Sequence, residues 1–245
     1  MYRFAFVLSR SRAEALRLER AGTIPATRRP ELLQGWCKRS LASIDIQVEV
    51  EGVLPTSGLL VSNHLSYLDI AVYSSALPCA FVSKSEVARW AIFGRFAQDA
   101  GTIFVQRGNH ASSRRAAWQI VENLRAGLAV VLFPEGTTTD GSRVLRFHSN
   151  MLQGAIDAGV TVTPCAVSYA VSGGSEKEIA WWGDMTLPLH IWKLLGQRRV
   201  IARVIYGEPL PATGTRRVLT GQARDKVVAL REELLQTARS AALHQ

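Results

Sequence analysis

Two side chains five positions apart, His64 and Asp69 in Asn63-His64-Leu65-Ser66-Tyr67-Leu68-Asp69, are of the types that general base chemistry requires. A carboxylate on one imidazole nitrogen fixes the tautomer and stabilises the imidazolium, leaving the other nitrogen to take a proton near neutral pH. This is a base with its orienter and no protein nucleophile. Taken alone, His-x4-Asp is more often a helix-capping Asp beside an incidental His. Arg107, in Gln106-Arg107-Gly108, offers a bidentate cation for a phosphate or carboxylate. Alone, an arginine at a strand end is more often a surface charge. Glu135, Gly136 and the threonines Thr137, Thr138 and Thr139 lie in PEGTTTDG, a glycine-punctuated turn whose amides and hydroxyls suit a polar substrate head, or an ordinary strand-to-loop turn.

These residues follow apolar runs of strand length. Ile46 to Glu51 alternates as a strand, and Gly58 to Ser62, Cys79 to Val82, Thr102 to Val105, Ala129 to Phe133 and Val160 to Ser168 read as short buried strands. Helical patterns intervene over 67–77, 85–99, 111–126 and 149–158. A strand over 200–206 and a charged helix over about 220–240 close the chain. Continuous apolar strands alternating with helices predict an α/β fold, a mostly parallel central sheet flanked by helices. In such sheets ligands bind beyond the carboxyl ends of strands, where His64, Arg107 and Glu135 fall, with Pro164 inside the Val160 run. Residues 1–45 form a basic helical extension and 46–245 the main domain, with no repeat and no dividing linker.

The chain has 245 residues, 47% apolar and 20% charged, with a net charge of +9. That supplies a core and excludes a disordered or fibrous chain. Residues 1–39 and 193–245 each carry +6 and the middle −3. Such flanks attract nucleic acid or an anionic membrane face; only the charge favours nucleic acid, which is not expected as a partner. Cys37, Cys79 and Cys165 are far apart and odd in number, which argues against a disulfide framework and for a reducing compartment. The histidines at 64, 110, 148, 190 and 244 lack metal-ligand spacing, and no GxSxG elbow or GxxxxGK loop occurs. No run reaches the roughly 18 to 20 apolar residues of a membrane span, and the start lacks a signal-peptide pattern.

Two segments suit a membrane surface. Phe4, Val7, Leu8, Ala15 and Leu18 alternate with arginines in a pattern for a basic amphipathic helix over 1–20, resting on a membrane or packed on the domain. Trp181, Trp182, Leu187, Leu189, Ile191, Trp192, Leu194 and Leu195, near Lys193, Arg198 and Arg199, suit an interface or, equally, a core helix.

The ordered set NHLSYLD, FVQRG, FPEGTTTDG and VTPCAVSY resembles the four blocks of the glycerolipid acyltransferase family, whose best-known members are the 1-acylglycerol-3-phosphate acyltransferases. The similarity spans Asn63 to Tyr169 and extends from the helix before Ile46 to the GEPL turn at Gly207. The resemblance implies that His64 takes the proton from a glycerol hydroxyl, that Asp69 orients it, and that the hydroxyl attacks an acyl thioester directly. It further implies that Arg107 holds the acceptor's phosphate, that Glu135 and Gly136, with Thr137, help bind the glycerol backbone, and that Pro164 lies toward the acyl donor. Many family members carry FPEGTRS, with an arginine where Thr138 stands, so Arg143 and Arg146 become further phosphate candidates. The threonine form is similar to members acting on other acceptors, lyso-ornithine lipids among them.

The function expected on these grounds is transfer of a fatty acyl group from acyl-CoA or acyl carrier protein to 1-acylglycerol-3-phosphate, giving phosphatidic acid. No cofactor is expected, because a thioester is already activated. The site would be the cytoplasmic face of the cell membrane, with peripheral attachment through the two segments above unless the chain start is incomplete. Lyso-ornithine lipid acylation is the alternative within this chemistry. A non-catalytic lipid-binding or membrane-scaffold protein is the alternative of another class, against which the intact His64 and Asp69 speak.

Overall fold

The structure, a computed structural model, describes residues 2–22, 28–90, 93–106 and 108–243. Arg107, His244 and much of the stretch after the first helix, residues 23–27, lie outside the described residues.

Seven strands form one sheet in the order β1-β7-β6-β2-β5-β3-β4. They are β1 (Ile46–Glu51), β2 (Gly58–Ser62), β3 (Cys79–Lys84), β4 (Ile103–Val105), β5 (Ala129–Leu132), β6 (Val162–Val171) and β7 (Val200–Tyr206). Every neighbouring pair is parallel except β6 and β7. The sheet is therefore mostly parallel, as the apolar runs predict. β2 and β5 are buried along their whole length. Their side chains alternate between two cores: Leu60 and Val131 face one, while Leu59, Val61, Val130 and Leu132 face the other.

The first core is covered by α2 (Arg29–Ser43), α3 (Leu68–Ala76) and α7 (Leu187–Gly196). From α2 it takes Leu33, Trp36, Cys37 and Leu41, a single helical stripe. The N-terminal extension thus shares the main core. The second core is covered by α5 (His110–Arg125), α6 (Gln153–Ala158) and α8 (Arg216–Leu243), the last contributing Leu219, Ala223 and Val227. The helical pattern over 85–99 is divided into a 3₁₀ turn (Ser85–Arg89) and α4 (Phe93–Asp99). The cysteines are buried and free.

α1 (Tyr2–Ala21) lies on the domain. Arg12 pairs with Asp99 at 2.9 Å, and Glu14 accepts from the Trp36 indole at 3.2 Å and from Arg39 at 2.8 Å. The tryptophan-bearing segment divides its faces: His190 and Leu194 of α7 are buried, whereas Leu189 and Trp192 are exposed. Among the described residues no helix is long and apolar enough to cross a membrane.

β6 is what shapes the functional edge. Its first half pairs with β2 up to Ser62↔Cys165, and its second half, from Cys165 to Val171, pairs with β7. It therefore runs past the end of β2 and carries Tyr169 alongside the turn that follows.

Candidate active site

β2 and β5 are adjacent and parallel, in register to Val61↔Leu132, so the segments after them leave the sheet at one edge. Asn63 extends the pairing of β2 beyond its last residue. Its Nδ2 donates to the Val167 carbonyl at 3.1 Å and its Oδ1 accepts from the Val167 amide at 2.9 Å, standing in for a ladder step. The chain then wraps around one carboxylate. Asp69 Oδ2 accepts from the amides of Leu65 (2.8 Å) and Ser66 (3.1 Å) and from His64 Nδ1 (2.8 Å). Asp69 Oδ1 accepts from the Tyr169 hydroxyl at 2.6 Å.

Four hydrogens directed at a fully buried carboxyl group in the first turn of α3 define an ionised acceptor. Burial, reinforced by the Asp69 charge, pushes the Tyr169 phenol well up, so it stays a donor. With its Nδ1 hydrogen committed to Asp69, His64 has Nε2 free to receive a proton. The imidazole stacks on Phe133, with centroids 4.0 Å apart and planes 9° from parallel, and remains partly exposed.

The turn after β5 holds this histidine from beneath. Glu135 Oε1 accepts from the His64 amide at 2.8 Å and Oε2 from the Leu145 amide at 2.7 Å. The Thr139 amide donates to the His64 carbonyl at 3.0 Å. Glu135 is buried, which pushes its carboxyl pKa up; the two amides it accepts from draw it partly back. Gly136 turns the chain at φ +70°, a left-handed conformation that costs glycine little.

His64 lines an open groove of about 310 Å³ together with Gly136, Thr137 and Thr138. Lys84 and Glu86 also line it. The groove adjoins an apolar cavity of about 150 Å³ between α1, α2 and α7. A base opening on a groove, beside space for an alkyl chain, can deprotonate an alcohol that is held with an acyl chain nearby.

The structure thus brings His64, Asp69, Gly136 and Thr137 together. Glu135 joins them from below the groove, with both oxygens taken by backbone amides. Pro164 stays apart: it is buried in β6 opposite Val61, and its carbonyl accepts from Gly207 N at 2.9 Å. Arg143 and Arg146 are exposed and outside the groove wall. Sequence reasoning missed Lys84, a basic residue at the end of β3. It also missed Tyr169, whose only signal is its place in the block VTPCAVSY. Arg231 of α8 was missed too: it is buried, pairs with Glu176 and donates to the Val167 carbonyl at 3.0 Å, bracing the strand that carries Tyr169.

Residues 45–168 match a family model described as Acyltransferase. A lyso-ornithine lipid O-acyltransferase of Pseudomonas aeruginosa is 36% identical over 201 residues, covering 81% of this chain and 78% of the relative. A 1-acyl-sn-glycerol-3-phosphate acyltransferase of Neisseria gonorrhoeae is 33% identical over 170 residues, covering 68% of this chain and 67% of that protein. The crystal structure of the 1-acyl-sn-glycerophosphate acyltransferase PlsC from Thermotoga maritima superposes with a TM-score of 0.69 at 21% identity, covering 95% of this chain and 93% of that one, and shares its fold. With half of its length in the family model and a relative at 36% identity over four-fifths of it, this chain belongs to the acyltransferase family and is an acyltransferase.

Proposed function

We propose that the protein moves a fatty acyl group from an acyl thioester, carried on coenzyme A or on acyl carrier protein, to the free hydroxyl of 1-acylglycerol-3-phosphate, giving phosphatidic acid. One observation carries this reading: His64 Nδ1 is 2.8 Å from the buried Asp69 carboxylate while its ring lines a groove that adjoins an apolar cavity. His64 Nε2 takes the proton as the hydroxyl oxygen attacks the thioester carbon. The C–O bond forms, the C–S bond breaks, and the proton passes from His64 to the departing thiolate. General base assistance of this kind is worth about 10²- to 10⁴-fold. The thioester brings its own activation, so the reaction calls for no cofactor. Gly136 and Thr137 face the acceptor's polar head, and Glu135 serves by holding the His64 backbone. The phosphate falls to Arg107 on the family resemblance, with Lys84 of the groove wall as a second cation. Leu189 and Trp192 on α7 and Phe6 on α1, all exposed among basic residues, support peripheral attachment to the cytoplasmic face of the membrane.

A second reading, acylation of lyso-ornithine lipid, is favoured by Thr138 in place of the common arginine and by the similarity to the lyso-ornithine lipid O-acyltransferase of Pseudomonas aeruginosa. Purified protein given each acceptor in detergent, with labelled palmitoyl-CoA or palmitoyl carrier protein, tests both. Labelled phosphatidic acid is expected, and Arg107→Ala should raise the Michaelis constant for that acceptor. Product from lyso-ornithine lipid alone moves the assignment to the second reading, and no labelled lipid from either overturns both.

A further inference from the structure

The groove and the apolar cavity have a common wall: Tyr67, Ile70, Ser83, Val87 and Trp90 line both. Tyr67 differs from the rest in being anchored by a histidine outside the groove. Its hydroxyl lies 3.1 Å from Nδ1 of His190 on α7, and His190 is 3% exposed. The other nitrogen, Nε2, lies 3.1 Å from the Ala180 carbonyl. A carbonyl only accepts, so Nε2 carries the hydrogen, Nδ1 is bare, and the Tyr67 hydroxyl donates to it. Burial pushes the His190 pKa down and preserves the neutral ring this arrangement needs.

Aromatic neighbours hold the ring from the sides. His190 meets Tyr67 edge-on at 5.5 Å and 86°, Trp181 meets it at 5.9 Å and 67°, and Trp90 meets Trp181 at 5.6 Å and 85°. A phenol fixed at its tip and bounded by edges is held to one orientation in the wall that the two spaces share.

We infer that His190 is a positioning residue that fixes Tyr67 as a partition in this shared wall, and that Tyr67 in turn sets which alkyl chains pass from the groove into the cavity. The inference rests on the acyl-transfer reading of the groove. Both substrates of that reaction bring an alkyl chain, and the cavity's lining suits either one.

The test compares wild type with Tyr67→Phe, His190→Leu and His190→Asn. Thioesters of two chain lengths compete for one acceptor, and then lysolipids of two tail lengths compete for one thioester, so that the arm that responds identifies the chain in the cavity. Tyr67→Phe and His190→Leu should shift the length preference in one arm by roughly tenfold, the scale at which an apolar pocket senses a methylene. His190→Asn, whose amide oxygen can accept from Tyr67, should keep the wild-type preference. A purely structural role would lower all chains alike. If His190→Leu fails to fold, Tyr67→Phe answers the same question. Displacement of 11-dansylaminoundecanoate by fatty acids of increasing length supplies a readout without turnover. Should no pair of substrates react, the acyl-transfer reading fails, and the displacement series still decides the partition. Length preference unchanged in folded variants, or no binding of the fluorescent acid to wild type together with no turnover, overturns the inference.

Discussion

The turn that carries His64 and the helix that carries His190 put the same side chain to opposite uses. His64 gives its Nδ1 hydrogen to a buried carboxylate, leaves Nε2 for a proton, and lines an open groove. His190 has both nitrogens engaged, by a carbonyl and by a phenol, and is sealed in the core. Lys193, one turn on, adds to burial in opposing a charge on His190. Asp69 is placed to face the imidazolium that forms when His64 takes a proton; among the described residues, the partners of the His190 nitrogens are a carbonyl and a phenol, not a carboxylate. What a histidine does is therefore set by its partners and by what it leaves open.

Exchanging the two losses is the strongest way to break this contrast. His64→Ala should lower kcat for acyl transfer by about 10³-fold or more, with its thermal midpoint near that of wild type. His190→Ala should do the reverse, losing roughly 2–4 kcal/mol of stability for the emptied core site while transfer falls far less. Calorimetry and a transfer assay on the same preparations check both, and comparable rates for the two variants would erase the distinction.

Asp69→Asn comes next. The amide cannot accept all four hydrogens that the carboxylate receives from His64, Leu65, Ser66 and Tyr169. Loss of the orienting charge should reduce kcat by about 10³- to 10⁴-fold, and the turn over 64–69 should lose stability as well. Wild-type turnover in a folded Asp69→Asn protein would leave His64 without an orienter.

Much of this arrangement is legible in residue patterns, for reasons that differ by element. The strands Gly58–Ser62 and Ala129–Leu132 announce themselves because burial on both faces demands unbroken apolar runs. Asp69 is legible because three of its four partners, His64, Leu65 and Ser66, lie within the same turn. Tyr169 is not, because it reaches Asp69 from 100 residues away through the overhang of β6, a feature of sheet register and not of local sequence. Glu135 reads as a residue facing substrate, since an acid after a strand looks the same whether it faces solvent or gathers amides. The antiparallel insertion of β7 between β1 and β6 leaves no local trace either, as its burial pattern suits both directions.

The overhang can be weighed by Tyr169→Phe. The substitution keeps the ring and removes a hydrogen bond to a buried charge, the kind that contributes about 1.5–3 kcal/mol. His64, Leu65 and Ser66 still hold Oδ2, so kcat should fall roughly tenfold, well short of the Asp69→Asn loss, with the Michaelis constants little changed. A fall as deep as that of Asp69→Asn would make Tyr169 an equal partner in the catalytic turn, and no fall would reduce it to packing.

The smallest effect is expected at Glu135, beneath His64, where pH is the probe. Burial raises its folded-state pKa above the usual 4.5. A carboxyl group whose pKa is raised by folding binds its proton more tightly in the native state, so its contribution is full below about pH 4 and is lost as pH rises through the raised value. Glu135→Gln cannot ionise and lacks this slope. The variant keeps one acceptor for the amides of His64 and Leu145, so kcat should fall only several-fold. The difference in thermal midpoint between wild type and variant should therefore move in favour of the variant as pH is taken from about 4 to 7. A difference that stays constant over that range would mean that the Glu135 carboxylate carries its charge at no cost beneath the histidine, and that the support of His64 is electrostatic as well as mechanical.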